Sequence, residues 1–140
     1  MLVYGFADGR VLRDDTGAVA RLQQVARTAI ASYHVSPAER DAIFHWLHAA
    51  RVKIRAAQAG GDPLKAALVT ATTSWKVLEG LWAVNGLPIP PVGAVLFHRH
   101  DLTHLPDAAN TLFDHLFLGD TQERNGATLT LIDWLLFTPR

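Results

Sequence analysis

The sequence predicts an all-α protein, an antiparallel up-and-down bundle of five to six helices preceded by a short N-terminal β-hairpin. Three observations support this fold class. The stretch 62–91 is mostly apolar for about six turns between a helix start and a proline-rich stop. Helix-start patterns also precede other segments with apolar residues at helical spacing. The connections between these segments are short, which favours antiparallel neighbours.

Length and composition predict one domain. The chain has 140 residues, which is enough for a hydrophobic core, and 49% of them are hydrophobic. We therefore expect a single domain over 1–140. Residues 1–15 would form the hairpin or a connector, and residues 16–140 the helical bundle.

Charge and composition exclude several kinds of protein. Thirteen basic and thirteen acidic residues cancel, whereas nonspecific binding to nucleic acid or to an anionic membrane requires a basic surface. The absence of cysteine excludes disulfides and thiolate metal sites. No apolar run reaches the roughly 18 residues of a membrane span, and the first residues do not have the pattern of a signal peptide. We expect a cytoplasmic protein with no membrane association.

The hairpin is predicted over residues 2–13, where two short apolar runs flank a turn at Asp8-Gly9. A lone hairpin is marginally stable in water. It would have to pack on the helices or on a sheet of another domain.

Six helical segments follow. The second begins with the N-cap pattern Ser-Pro-Ala-Glu, and Gly60-Gly61 ends it. The predicted segments run approximately over 16–33, 37–59, 63–85, 92–100, 106–118 and 121–137. The second, third and fifth of these segments stop at glycine or proline, which terminate helices.

The third helix is expected at the centre of the bundle because it is apolar over most of its circumference. Its main face comprises Leu64, Leu68, Ala71, Trp75, Leu78 and Trp82. A narrow polar strip contains Thr72, Lys76 and Glu79. Lys76 and Glu79 are three residues apart and can form an exposed ion pair. Alternatively, a polar strip on a helix that is otherwise buried can line a cleft shared with another chain.

The histidines of the second helix form another candidate site. His45 and His48 are three residues apart, and Asp41 precedes them by one turn. Helical spacing can bring all three to one side, where they would ligate zinc or another divalent ion as part of a metal-dependent bundle enzyme. They can equally lie on a solvated face, since this spacing is not a recognised metal motif.

Two short segments, Arg40–His45 and Arg99–His104, each have an arginine, a polar residue, three further residues and a histidine. This pattern is similar to the motif of HEPN-domain ribonucleases, which are helical bundles. Arg99–His104 is nearer to the place of the motif in that family, late in the bundle at the start of a helix. The resemblance implies a ribonuclease or toxin as an alternative function.

A longer resemblance covers almost the whole chain. The segments 9–17, 50–54, 71–91, 104–107 and 118–120 follow one another as in the C-terminal, substrate-binding domain of kanamycin-nucleotidyltransferase-like enzymes. This helical domain is related to the HEPN partners of minimal nucleotidyltransferases. The resemblance implies a bundle that binds the acceptor beside a catalytic domain. The matching features are helix and loop patterns and include no catalytic signature.

The catalytic domain of that family carries Gly-Ser followed by Asp-x-Asp, whose carboxylates bind Mg²⁺. This chain has neither, since Asp14 and Asp15 are adjacent. Members that modify aminoglycosides also place a glutamate on the bundle as base. The corresponding stretch here, 45–53, has His45, His48 and Lys53 instead.

The resemblance therefore implies a non-catalytic domain or subunit of a nucleotidyltransferase. We expect no catalytic residue, bound metal or cofactor in this chain. The expected partner is a catalytic nucleotidyltransferase domain or subunit, with a homo-oligomer as a further option. The candidate substrate-binding residues are His45, His48, Lys53, Trp75, Lys76 and Glu79.

Overall fold

The computed structural model of the chain describes residues 2–139, apart from the side chain of Leu2. Six α-helices and one 3-10 helix account for most of this range, and none of its residues forms a strand. The helices are α1 (Leu2–Asp8), α2 (Ala18–Ala31), α3 (Pro37–Ala59), α4 (Pro63–Val84), α5 (Ala109–Leu118) and α6 (Thr121–Phe137), with the 3-10 helix at Phe97–Asp101. The prediction of an all-α bundle is confirmed.

The predicted N-terminal hairpin is wrong, because its first half forms α1. A single hairpin would leave the outer edge of both strands unpaired. The helix instead satisfies its own backbone and buries Tyr4, whose hydroxyl donates a hydrogen bond to the carbonyl oxygen of Pro88 at 2.7 Å. Packing against the proline-rich loop thus outweighs the local turn signal of Asp8-Gly9.

Three of the predicted helix starts are present as side-chain caps. The hydroxyl of Ser36 accepts a hydrogen bond from the Glu39 amide at 3.1 Å, and the carboxylate of Asp62 accepts one from the Lys65 amide at 2.9 Å. At α6, Asp120 and Glu123 form a reciprocal capping box with two bonds of 2.9 Å. Each cap satisfies backbone N–H groups that have no partner within the helix.

The core lies where α3, α4 and α6 meet. α4 packs against both α3 and α6, α3 also contacts α6, and α5 packs against α6. The largest side chains buried there come from all three central helices: Leu47, Ile54, Val77, Leu81, Trp82, Leu131, Ile132 and Leu135. None of the helices within residues 2–139 combines the length and the apolar character needed to cross a membrane.

The predicted main face of α4 is correct only in its second half. Leu78 and Trp82 are buried, but Leu64 is 80% exposed and Leu68 is also exposed. The first half of α4 instead buries small residues, Ala66, Thr70 and Thr73. Because Thr70 bonds to Asn125 of α6, this half of the helix turns its small residues towards α6 and its leucines outwards.

The helix predicted at 92–100 is shorter than expected. Residues 92–96 form turns, and regular structure begins at Phe97 as a 3-10 helix. This segment carries the buried His98.

Candidate binding cleft between α3 and α4

A cleft of about 400 Å³ lies between the first half of α3 and the second half of α4. The end of the α2–α3 connection and the loop after α4 complete its walls. It is lined by Tyr33, Val35, Glu39, Ala42, Ile43, Trp46, Lys76, Glu79, Trp82, Ala83, Leu87 and Ile89.

The polar centre of the cleft is an ion pair on α4. The Lys76 ammonium donates a hydrogen bond to Oε2 of Glu79, three residues later on the helix. Only 28% and 22% of the two side-chain surfaces are exposed. Partial burial weakens solvent screening, so this pair is more strongly coupled than an ion pair on the open surface.

Trp46 of α3 lies opposite this ion pair. The Nζ atom of Lys76 is 5.9 Å from the centroid of the Trp46 ring, at the outer limit of a cation–π contact. Trp46 is nevertheless 54% exposed. An aromatic face is therefore available to a ligand beside the charged centre.

A second carboxylate stands at the α2 side of the cleft. The hydroxyl of Tyr33 donates to the Glu39 carboxylate at 3.3 Å. Burial raises the pKa of Tyr33, and the negative charge of Glu39 and this hydrogen bond raise it further. Tyr33 thus stays a neutral donor to Glu39 at the rim.

The lining as a whole combines apolar and aromatic walls with two carboxylates and one ammonium. Since Lys76 already pairs with Glu79, the net charge of the cleft is negative although the whole chain is neutral. Such a site suits a small molecule with a ring face, hydroxyl groups and an amino group.

The predicted site residues divide into two groups. Lys76 and Glu79 line the cleft, as expected if the polar strip of α4 serves a cleft. Trp75 is half-buried on α4 outside the lining. Lys53 lines a smaller hollow of about 130 Å³ together with Thr72 and Trp46, whereas the exposed His45 and His48 line neither.

Tyr33, Glu39 and Trp46 are cleft residues that the sequence reasoning missed. For Trp46 a signal exists in the sequence. It lies one position away from the buried stripe of Ile43, Leu47 and Ala50, so a large aromatic residue occupies a position that the helical period turns away from the core. For Tyr33 and Glu39 the contact depends on the bend between α2 and α3.

The arginine and histidine residues of the two HEPN-like motifs lie outside the cleft. Arg40 and His45 are exposed on α3. Arg99 lies in the 3-10 helix, and His104 follows in the loop, with its ring 4.9 Å from that of Trp134. Over residues 2–139, no three histidine, aspartate or glutamate side chains come together in a group that could hold a metal ion.

The charged centre of the cleft and its two tryptophans, Trp46 and Trp82, are held by helices that pack tightly on each other. Comparisons with family models, curated proteins and solved structures found no match for this chain.

Proposed function

We propose that the chain is a non-catalytic substrate-binding domain or subunit of the nucleotidyltransferase type, which holds the acceptor in the cleft between α3 and α4. A catalytic nucleotidyltransferase domain or subunit would supply the nucleotide, the metal and the chemistry. The observation that carries the proposal is the partly buried Lys76–Glu79 pair beside the exposed ring of Trp46.

The packing of the two helices that form the cleft favours a binding role. Leu47 of α3 and Leu81 of α4, which adjoin cleft residues in the sequence, are fully buried in the core. The two helices therefore cannot separate without exposing apolar surface. Side chains on such rigid elements are held ready for a ligand, which reduces the entropy lost on binding.

The chemistry of the lining favours an acceptor with hydroxyl and amino groups. Glu39 can accept hydrogen bonds from either group, and Glu79 has one oxygen that does not bond to Lys76. The ring of Trp46 can cover an apolar ring face, as aromatic side chains do in many ligand sites. A cytoplasmic location is part of this proposal.

The adjacent carboxylates near the N-terminus have local roles. Oδ2 of Asp14 accepts a hydrogen bond from the Ala20 amide at 2.9 Å, and this bond lowers the pKa of Asp14. Asp15 pairs with Arg13 at 2.7 Å. Asp14 thus stabilises the start of α2, and Asp15 forms a surface ion pair, so both carboxylates have partners within this chain. This supports the proposal that a partner supplies the catalytic metal site.

Incubating the pure chain with a labelled nucleoside triphosphate, Mg²⁺ and kanamycin tests whether this chain binds the acceptor without catalysing the transfer. We expect kanamycin, a ring compound with amino and hydroxyl groups, to bind without any transfer of nucleotide. Maltotriose, which has hydroxyl groups only, serves as the comparison ligand and should bind more weakly. Robust nucleotidyl transfer by the chain alone would refute the proposal.

A further inference from the structure

His98 connects two parts of the chain that are distant in sequence. Its ring is buried, and each of its two nitrogens contacts a carboxylate. Nδ1 is 2.8 Å from Oδ2 of Asp101 within the same 3-10 helix. Nε2 is 2.7 Å from Oδ2 of Asp8, the last residue of α1.

Two carboxylate contacts require two donors. A neutral imidazole has one N–H group and one acceptor nitrogen, whereas an ionised carboxylate can only accept. In the neutral form one of the two nitrogens would therefore face a carboxylate oxygen without a proton between them. Both contacts are hydrogen bonds at the same time only when His98 is an imidazolium ion.

Two further titratable side chains, Tyr4 and His100, lie beside His98. The ring of Tyr4 is 4.8 Å from that of His98, and burial, followed by the charges of Asp101 and Asp8, raises the pKa of Tyr4 to about 12, so its hydroxyl stays neutral. His100 stacks at 6.2 Å, and its Nε2 is 3.1 Å from Oδ1 of Asp101. His98 is thus the buried partner of Asp8 and Asp101.

The helices α1 and α2 form an arm that this contact ties to the bundle. α2 packs against α1, and its Val25 is 64% exposed. Polar ties from α1 to the remainder of the bundle include the Tyr4–Pro88 hydrogen bond and the Asp8–His98 contact. Tyr33, just beyond the end of α2, lines the cleft, so a change in the arm reaches the cleft wall.

We propose that His98 is a pH-dependent switch. As an imidazolium ion it holds the α1–α2 arm against the bundle through Asp8, and on losing its proton it releases the arm. This device exists whether or not the cleft binds an acceptor. Where the cleft does bind one, opening the arm would loosen the wall that carries Tyr33.

The direction of the pH effect follows from the surroundings of His98. Burial disfavours its charge, but the hydrogen bonds and charges of Asp101 and Asp8 outweigh burial, so the pKa of His98 is raised above its ordinary value of 6.5. A raised pKa means that the contact stabilises the folded arm fully below pH 6.5. The stabilisation is lost as the pH rises through the raised pKa.

The test combines nuclear magnetic resonance of the histidine rings with amide hydrogen exchange on the full chain. We expect His98 to titrate above pH 6.5 with both nitrogens protonated at low pH. Above its pKa, the exchange protection of α1, corrected for intrinsic rates, should fall by about tenfold for each pH unit until the arm is open. α3 and α4 should stay protected at pH values where α1 is already open.

Asp8→Asn is the decisive variant, because it removes one carboxylate at a half-exposed position and leaves the core intact. It should lower the pKa of His98 and remove most of the pH dependence of α1 protection. Asp107→Asn, at an exposed position outside the arm, should change neither. Titration of His98 at or below pH 6.5, or α1 protection that is unchanged across that titration, would overturn the proposal.

Discussion

The side chain of Asn85 forms hydrogen bonds with both the backbone N–H and the backbone C=O of His104. Its Oδ1 accepts a hydrogen bond from the His104 amide at 2.7 Å, and its Nδ2 donates to the His104 carbonyl oxygen at 2.9 Å. The same side chain also accepts from the Thr103 amide at 3.0 Å and donates to the Leu81 carbonyl oxygen at 2.8 Å. One residue at the end of α4 therefore anchors the loop that follows the 3-10 helix.

Replacing Asn85 by alanine should lower the free energy of unfolding by about 2 kcal/mol, since its hydrogen bonds to the backbone of Leu81, Thr103 and His104 are lost together. Asn85→Asp keeps the acceptor and loses the donor, so its loss should be intermediate. Urea denaturation of the three proteins measures the difference. Equal stability of wild type and Asn85→Ala would contradict the role of this side chain.

Replacing glycine by alanine should change the stability of the protein in opposite directions at Gly80 of α4 and at Gly126 of α6. A Cβ atom at Gly80 would lie 2.9 Å from Cδ1 of Leu135 and 3.1 Å from Cδ1 of Leu47, both buried in the core. Gly80→Ala should therefore destabilise by about 1–3 kcal/mol through overpacking. A Cβ atom at Gly126 meets nothing within 4 Å, so Gly126→Ala should stabilise by roughly 1 kcal/mol.

Thermal and urea unfolding of these two variants provide a matched comparison within the same fold. If Gly80→Ala proved as stabilising as Gly126→Ala, the close approach of α4 to α3 and α6 would be incorrect.

The buried hydrogen bond between Thr70 and Asn125 should show strong coupling. Thr70 donates to Oδ1 of Asn125 at 2.6 Å between α4 and α6. Thr70→Val leaves that oxygen without its donor and should cost about 1–3 kcal/mol. Asn125→Leu with Thr70→Val removes both polar groups, so the double variant should be more stable than the sum of the single changes indicates.

Thr72→Val is the control for this comparison of the single and double variants. Thr72 is exposed on the same helix, and its hydroxyl bonds only to backbone oxygens of its own helix. Its replacement should change stability by less than about 0.5 kcal/mol. Additive effects at Thr70 and Asn125 would show that the two side chains are not coupled.

The free energy of unfolding of the whole chain should vary with pH because of His98. Because its pKa is raised in the folded chain, the free energy of unfolding should decrease as the pH rises above 6.5. Asp8→Asn should flatten this decrease. Urea denaturation at a series of pH values measures it, and identical pH profiles for wild type and Asp8→Asn would contradict the linkage.

Local rules predicted much of the fold. The caps at Ser36, Asp62 and Asp120 each depend on two or three neighbouring residues, so the start of each helix could be read directly. The stripe of α3, with Leu47 and Ile54 at its centre, could also be read because its other faces are polar.

Tertiary packing decided what local rules could not. α4 is apolar on several sides, so the sequence pattern does not determine which side of its first half faces α6. There the Thr70–Asn125 bond places Ala66 inside and Leu64 outside. Similarly, the helical form of Leu2–Asp8 depends on Pro88 and His98, which are far away in the sequence.

The candidate site was predictable only in part for the same reason. Lys76 and Glu79 were found because they interrupt an apolar helix. The opposite wall with Trp46 and Glu39 requires the angle at which α3 meets α4, and the sequence does not specify that angle. The family resemblance directed attention to the histidines of α3, which lie outside the cleft.

The central claim is that the acceptor binds at Glu79 between α3 and α4, and isothermal titration of kanamycin tests it most directly. The wild type should bind, Glu79→Gln should bind at least about tenfold more weakly through loss of a charged acceptor, and Asp114→Asn, at an exposed position on α5, should bind like the wild type. Equal affinity of wild type and Glu79→Gln, or no saturable binding by the wild type, would contradict the account.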